Sequence, residues 1–432
     1  MPHAIIESLD HDGRGVCHAN GKVVFVDGAL PGESVDYEVL RSKPRYETGE
    51  TRKVRRASAF RVEPPCPLFG VCGGCSLQHV DPAAQPALKQ RVLEDALRHL
   101  GNVTPGMVFP PIQGSPWGYR QRARLTARLV PSKGGLLIGF HQRRSSHVAD
   151  MAECRILPPR VSRLVAPLRQ LIAGLSIADR VPQVEIAVGD EAVAVVLRHI
   201  EPLDSRDLDC VRGFGQSHAV RMWLQPGRPD SAHPIDGADT GRLTYALPEF
   251  GLRLAYRPTD FTQVNAAMNR LLIRRALQLL APGRGERIAD LFCGLGNFSL
   301  PIASRGAEVV GVEGSAALVG RARENADDNG LGDRCTFYEA NLFDATEDSL
   351  AAMGPFDKWL IDPPREGAIA LVKAISDSGP SRIVYVSCNP ATLARDAAVL
   401  VHQKGYRLQG AGIANMFPQT SHVESIALFS RV

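Results

Sequence analysis

From residue 261 onward the chain alternates short apolar runs with glycine-rich turns and helical stretches, and this alternation limits its possible folds more than any other feature. Strands are expected at 287–292, 308–312, 335–338, 358–361 and 382–387, with helices between them. Neighbouring parallel strands need a crossover, so the pattern predicts a doubly wound, Rossmann-like α/β sheet. Such sheets bind ligands beyond the carboxyl ends of their strands, and most of the chemically suggestive residues fall at those ends.

The first is the run Asp290-Leu-Phe-Cys-Gly-Leu-Gly-Asn297, which follows a strand and leads toward a helix. Its glycines allow backbone to approach a ligand closely at a helix N-terminus. Glu313 ends the next strand, where a carboxylate can accept two ribose hydroxyls. A dinucleotide site would place a third glycine where Ser299 stands, so the turn favours S-adenosylmethionine over NAD. Asn341 follows the third strand. Asp362 ends the fourth and opens the stiff turn Asp362-Pro-Pro-Arg365, which can hold polar groups over a reactive methyl; the plainer alternative is an aspartate that starts a turn.

Cys388 lies just past the fifth strand, with Asn389 placed to cap the next helix and Pro390 at its first turn. The helix dipole is expected to lower the thiol pKa, the alternative being an inert buried cysteine. A thiol suits one particular reaction. Uracil C5 is too weak a nucleophile to attack a sulfonium methyl, but addition of a thiolate at C6 creates an enolate with electron density on C5. After methyl transfer a base must remove the C5 proton. Glu424 interrupts an otherwise apolar strand, 423–429, and is the candidate base; His422 beside it is the alternative.

At 432 residues the chain is too long for one ordinary core. Three regions are expected: a barrel over 1–58, a central β-rich region over 59–260 and a catalytic domain over 261–432. The first is read from short strands broken by glycine and proline, as in an OB-like barrel. Phe25-Val-Asp-Gly-Ala-Leu-Pro-Gly-Glu33 resembles the TRAM domain of RNA-modifying enzymes. Leu88, Val92, Leu93, Ala96 and Leu97 predict a helix over 82–100 that packs on the catalytic domain.

Net charge is only +4, but two basic blocks mark the N-terminal third. Residues 41–61 hold eight Lys or Arg against Glu47 and Glu50, and 114–149 hold no acid but carry Arg120, Arg122, Arg124, Arg128, Lys133, Arg143 and Arg144. Together they point to a polyanion such as RNA, with Arg120, Arg122 and Arg124 expected on one face of a strand. No apolar run is long enough for a membrane span and the start lacks a signal pattern, so a cytoplasmic protein without membrane contact is expected. Nine cysteines in such a chain are read as ligands, nucleophiles or core, not disulfides. Cys66, Cys72 and Cys75, with Gly70, Gly73 and Gly74 between them, can converge on one centre, and Cys154 is the nearest downstream fourth ligand. Zinc and an iron-sulfur cluster fit such thiolates equally well.

Taken together, the chain resembles the RNA (uracil-5-)-methyltransferase family, in its branch that combines a TRAM domain with a 4Fe-4S cluster and acts on 23S ribosomal RNA. Phe261-Thr-Gln-Val-Asn265, residues 290–299, 362–367, 387–396 and 415–425 carry the resemblance. It implies a 4Fe-4S cluster on Cys66, Cys72, Cys75 and Cys154, structural or RNA-positioning in role. It implies S-adenosylmethionine contacts at Gln263, Phe292, Asn297, Glu313, Asn341 and Asp362, a nucleophile at Cys388 and a base at Glu424. It further implies 23S rRNA as partner; the sequence does not show the oligomeric state, and a monomer with no obligate protein partner is expected. Two loop positions depart from some members: Pro364 stands in place of Ala and Gln419 in place of His. Two rival readings remain. One is a base amino-methyltransferase using Asp362-Pro-Pro, which would want an aromatic where Arg365 stands and has no use for Cys388. The other is a non-catalytic RNA-binding protein, which would not need Cys388, Glu424 or the glycine turn.

Overall fold

The computed structural model describes residues 1–237 and 242–431. Six strands between His3 and Arg56 form one sheet with its own small core of Ile6, Cys17, Val24, Val26, Val35 and Tyr37. Leu30 leaves that core to pack on Leu77, Val80 and Ala84, and Asp27 accepts ion pairs from Arg143 (3.2 Å) and Arg144 (2.8 Å). The N-terminal sheet is thus tied to the central region by an apolar contact and a shared carboxylate.

Helix α1 (Gln85–His99) follows the cysteine segment. Its Leu93 and Leu97 join the same core as Ile383, Tyr385, Leu408 and Ala411, so the helix packs on the C-terminal sheet despite its early place in the chain. The central region has a second six-stranded sheet, which includes Arg122–Val130, Gln183–Val188 and Val193–Arg198. Alternation in the first of these buries Ala123, Leu125 and Ala127 and turns Arg124 and Arg128 outward. Arg120 lies before that strand, not on it. Arg122 reaches back to the carbonyls of Thr259 and Asp260 (2.9 Å to Thr259), while Arg124 pairs with Glu185. The expected row of three arginines is therefore split: Arg120 lies off the strand, while Arg122 and Arg124 both pair with the buried Glu185 (3.5 and 2.7 Å).

The C-terminal body is a seven-stranded sheet of β1 (Arg287–Leu291), β2 (Glu308–Glu313), β3 (Cys335–Glu339), β4 (Lys358–Ile361), β5 (Arg382–Ser387), β6 (Tyr406–Ala414) and β7 (Glu424–Arg431), in the order β3-β2-β1-β4-β5-β7-β6. The first five are parallel, and β7 runs antiparallel between β5 and β6. β1, β4 and β5 read as near-continuous apolar runs because both faces are covered. α2 (Ala266–Leu280) begins where the Asn265 side chain accepts the Met268 N–H, and it buries Met268, Leu272, Ile273, Ala276 and Leu280. Each of these side chains other than Ala276 contributes roughly 2 kcal/mol of transfer free energy. α3 (Ala316–Asp328) and α4 (Pro390–His402) cover other parts of the sheet. Strand order reverses between β1 and β4, so a crevice opens at their carboxyl ends.

Candidate active site

The turn after β1 is built as its composition requires. Gly294 and Gly296 take positive φ (56° and 93°), and Phe292 does so as well (68°), a strained conformation for an aromatic residue. The helix that follows, Ser299–Ala303, is only a short turn of helix, less than the glycine pattern suggested. Glu313, at the end of β2, accepts the Gly294 N–H (3.1 Å) through one oxygen and the Ser315 N–H (3.0 Å) through the other. Each oxygen keeps a second lone pair for a ligand hydroxyl.

Asn297 is locked by a reciprocal amide pair with Asn269 (2.8 and 3.0 Å) and by the Tyr245 hydroxyl (2.9 Å), two partners that sequence reasoning did not find. Gln263 lines a small cavity with Tyr245, Tyr256 and Asn269. The Phe292 ring lies 5.7 Å from that of half-exposed Phe343, forming an aromatic wall. Asn341 spends its side chain capping the next turn, accepting the Phe343 N–H and donating to Asp344.

Burial pushes Asp290 up to about 7 against an opposing hydrogen bond from Ser299, and burial together with the charge of Asp290 does the same to Asp362. Both folded values exceed the ordinary 3.8, so between about pH 4 and pH 7 the folded protein holds protons that the unfolded chain releases. Their stabilising contribution is complete below that window and is lost as pH rises through it. For Asp290 the loss is on the order of 4 kcal/mol. Thermal unfolding of the ligand-free protein between pH 5 and pH 8 should therefore show a falling midpoint, with a shallower fall in Asp290→Asn. Equal slopes in the two proteins would mean that Asp290 is already ionised when folded.

Cys388 and Glu424 are brought together by strand register. β5 and β7 pair antiparallel up to Ser387 opposite Ser425, so the next opposed positions are Cys388 and Glu424. On its other side Glu424 pairs with Ala414 of β6, and it is buried. Asp362 leaves β4, which neighbours β5. The two turns are tied together: the Asn389 amide (3.1 Å) and Thr392 hydroxyl (3.2 Å) both donate to the Arg365 carbonyl. Asn389 caps α4 through the Ala391 N–H, with Pro390 at the first turn, as the sequence implies.

The thiol expectation reverses. Burial first, then the charges of Glu424 and Asp362, push Cys388 up to about 12, with Arg365 opposing. A helix end lowers a thiol pKa only modestly, and here two carboxylates and desolvation outweigh it. Burial also drives Glu424 well above the usual carboxylate range, with Asp362 adding and Arg365 opposing. These three acids share fewer charges than three at neutral pH, which favours proton exchange among them. His422 is pushed down to about 4 by burial and by Arg365, whose guanidinium donates to its ring at 2.9 Å.

Cys66, Cys72, Cys75 and Cys154 line one small cavity with Phe140, Met151 and Ile156. A side chain at Gly74 would press on the Phe140 ring (3.2 Å) and the Cys72 sulfur (3.4 Å), which explains the glycine. Burial pushes Cys75 up to about 12 and Cys154 up to about 11. Among the described residues no group of three or more His, Cys, Asp or Glu side chains is gathered tightly enough for a single metal ion. Beside this cavity, a cleft of about 590 Å³ is lined by Asp12 and Asp27 of the N-terminal sheet, Arg120, Arg143 and Arg144 of the central region, and Ser421 and His422 near Glu424. Of the basic blocks, Arg52, Arg55 and Arg61 are spent on ion pairs, whereas Arg120 and Arg128 have no carboxylate partner among the described residues. Among the described residues no helix is long and apolar enough to cross a membrane.

A doubly wound sheet with this glycine turn and acidic strand ends defines a methyltransferase, and residues 282–394 match a methyltransferase domain while residues 3–51 match the TRAM domain. The whole chain is 65% identical to the 23S rRNA (uracil(1939)-C(5))-methyltransferase RlmD of Azoarcus sp. (strain BH72), with all of both chains covered. It is 57% identical to the protein of that name from Nitrosospira multiformis, over 99% of this chain and 98% of that one. The chain belongs to the RlmD family. The fold is shared with the Pyrococcus abyssi tRNA (uracil-54, C5)-methyltransferase, solved with S-adenosyl-L-homocysteine, at 24% identity and a TM-score of 0.73 over 99% of this chain and 100% of that one.

Proposed function

We propose that this chain transfers a methyl group from S-adenosylmethionine to carbon 5 of a uridine in 23S rRNA, at position 1939 as its named relatives do. The observation that carries the chemistry is the pairing of Cys388 with Glu424 at the carboxyl ends of the sheet, beside Asp362 and the glycine turn. Glu313 retains lone pairs for the ribose, Phe292 offers a ring to the adenine, and Gln263, Asn297, Asn341 and Asp362 surround the rest of the donor.

The Cys388 thiol gives up its proton to a neighbouring carboxylate, and its sulfur bonds to uracil C6, moving the C5–C6 π electrons into an enolate. C5 then attacks the sulfonium methyl; the methyl–sulfur bond breaks and S-adenosylhomocysteine leaves. Glu424 takes the C5 proton, the C5–C6 double bond reforms and the sulfur–C6 bond breaks. His422 is the poorer base, being weakly basic and already accepting from Arg365.

Cys66, Cys72, Cys75 and Cys154 would hold a 4Fe-4S cluster. Four thiols line one small cavity, the all-cysteine donor set that such a cluster takes. Bound, the cluster would supply the positive charge that turns these buried thiols into thiolates and would brace the wall of the arginine-lined cleft.

Protein purified without oxygen and incubated with labelled S-adenosylmethionine and unmodified RNAs should put label into 23S rRNA as 5-methyluridine at position 1939. It should also carry iron and acid-labile sulfide in equal amounts. Label in tRNA, or on adenine or cytosine, would overturn the substrate assignment, and zinc without sulfide would overturn the cluster.

A further inference from the structure

The connection between β6 and β7, residues 415–423, delivers Glu424 and is held almost entirely by groups outside the seven-stranded sheet. Lys89 of α1 donates to the Asn415 side chain (2.7 Å) and to the Phe417 carbonyl (2.9 Å). One helical turn earlier, Gln85 accepts the Gln419 N–H (2.8 Å) and donates to the Gln419 side chain (3.0 Å). The Ser76 and Leu77 N–H groups both donate to the Gln419 carbonyl (2.9 Å), the Ser76 hydroxyl accepts from Ser421 (2.8 Å), and Tyr119 donates to the Pro418 carbonyl (2.8 Å). Gln419 itself sits at φ 67°, a left-handed conformation kept only because these bonds over-determine it.

Lys89 is the unusual member. Its side chain is 2% exposed, and no carboxylate pairs with it among the described residues. Positions 85, 89, 93 and 97 form one stripe of α1, in which Leu93 and Leu97 supply only apolar volume while Gln85 and Lys89 bring polar groups to the 415–423 connection. A buried ammonium is costly unless its protons are all directed at acceptors. Here both acceptors belong to the connection that leads to Glu424, and burial lowers Lys89 to about 7 without removing either bond.

We propose that Lys89, with Gln85, is a positioning residue for the proton-abstraction step: it fixes the 415–423 connection and so sets where the Glu424 carboxylate stands relative to C5 of the methylated uracil. This rests on the role of Glu424 given above. Lys89 touches neither substrate nor donor; its loss leaves thiolate addition and methyl transfer intact and slows the final elimination.

The test uses full-length Lys89→Met, which keeps the volume of the side chain, and Asn415→Ala, which removes one acceptor from the other side. Each is assayed on ordinary 23S rRNA for kcat, KM and a denaturant-resistant protein–RNA adduct, with donor binding and circular dichroism as checks of folding. Lys89→Met should lower kcat by about 10²-fold with KM little changed, and the methylated covalent adduct should accumulate. Asn415→Ala should do the same to a smaller degree and decides the matter if Lys89→Met does not fold. A folded variant with normal turnover, or with reduced turnover and no adduct, overturns the proposal. RNA carrying 5-fluorouridine, whose fluorine cannot leave as a proton does, separates the two levels. If the parent enzyme forms no stable adduct with that RNA, the covalent mechanism itself fails; if it does, a negative result belongs to Lys89.

Discussion

Cys388→Ala is expected to abolish 5-methyluridine formation, with a fall of about 10⁴-fold or more, while RNA and S-adenosylmethionine still bind. The size of the effect follows from the chemistry. Without addition at C6 the ring carbon has no usable electron pair, and no other thiol is placed to replace Cys388: Cys293, the cysteine of the glycine turn, is buried beneath that turn. Mass spectrometry of nuclease-digested RNA gives the first result, and a gel under denaturing conditions gives the second, the absence of any covalent complex. An alanine protein that still methylates uracil would remove Cys388 from the mechanism.

Glu424→Gln should behave in the opposite way on the same gel. Thiolate addition and methyl transfer do not need the carboxylate, but the C5 proton then has no acceptor, so enzyme and methylated RNA remain joined. Turnover should fall by about 10²- to 10⁴-fold, and an adduct carrying the transferred label should build up to about one per active site. Because Glu424 is buried and held well above the usual carboxylate range, glutamine is close to isosteric with its protonated form and should fold normally. If neither label nor adduct forms, Glu424 acts before methyl transfer, as the acceptor of the Cys388 proton. If turnover is unaffected, His422 or water takes the proton.

Local features of the site were legible wherever one segment carries its own reason. The buried parallel strands read as apolar runs, and β1 to β5 lie within a residue or two of their expected places. Asn389 and Pro390 announce the start of α4, and the Gly294 and Gly296 turn announces itself. Properties set by distant partners were not legible. The arginines of the basic blocks look free in sequence, yet Arg143 and Arg144 share the one carboxylate of Asp27 and Arg124 pairs with Glu185. The helix after Cys388 is visible and its dipole pulls the thiol in the expected direction, but the burial that outweighs it, and the carboxylates that add to that burial, are supplied by other strands. Lys89 left one trace, a lysine in an apolar stripe. Such a residue reads as a solvated surface lysine until its partners at Asn415 and Phe417 are seen. The 415–423 connection has no periodicity of its own, since its conformation is imposed by Ser76, Gln85 and Tyr119.

The packing of α1 against β6 and α4 bears on how the protein is made. A ribosome releases this helix roughly 300 residues before it releases the strand that covers it. Until then Leu93 and Leu97 face water or a chaperone, and Lys89 has neither of its acceptors. Closing so long a loop is slow. The nascent chain can complete its N-terminal sheet early, but it cannot bring Glu424 to Cys388 until its last strands have emerged. A chain cut before β7 would therefore lack Glu424, and one cut before β6 would leave the apolar stripe of α1 uncovered.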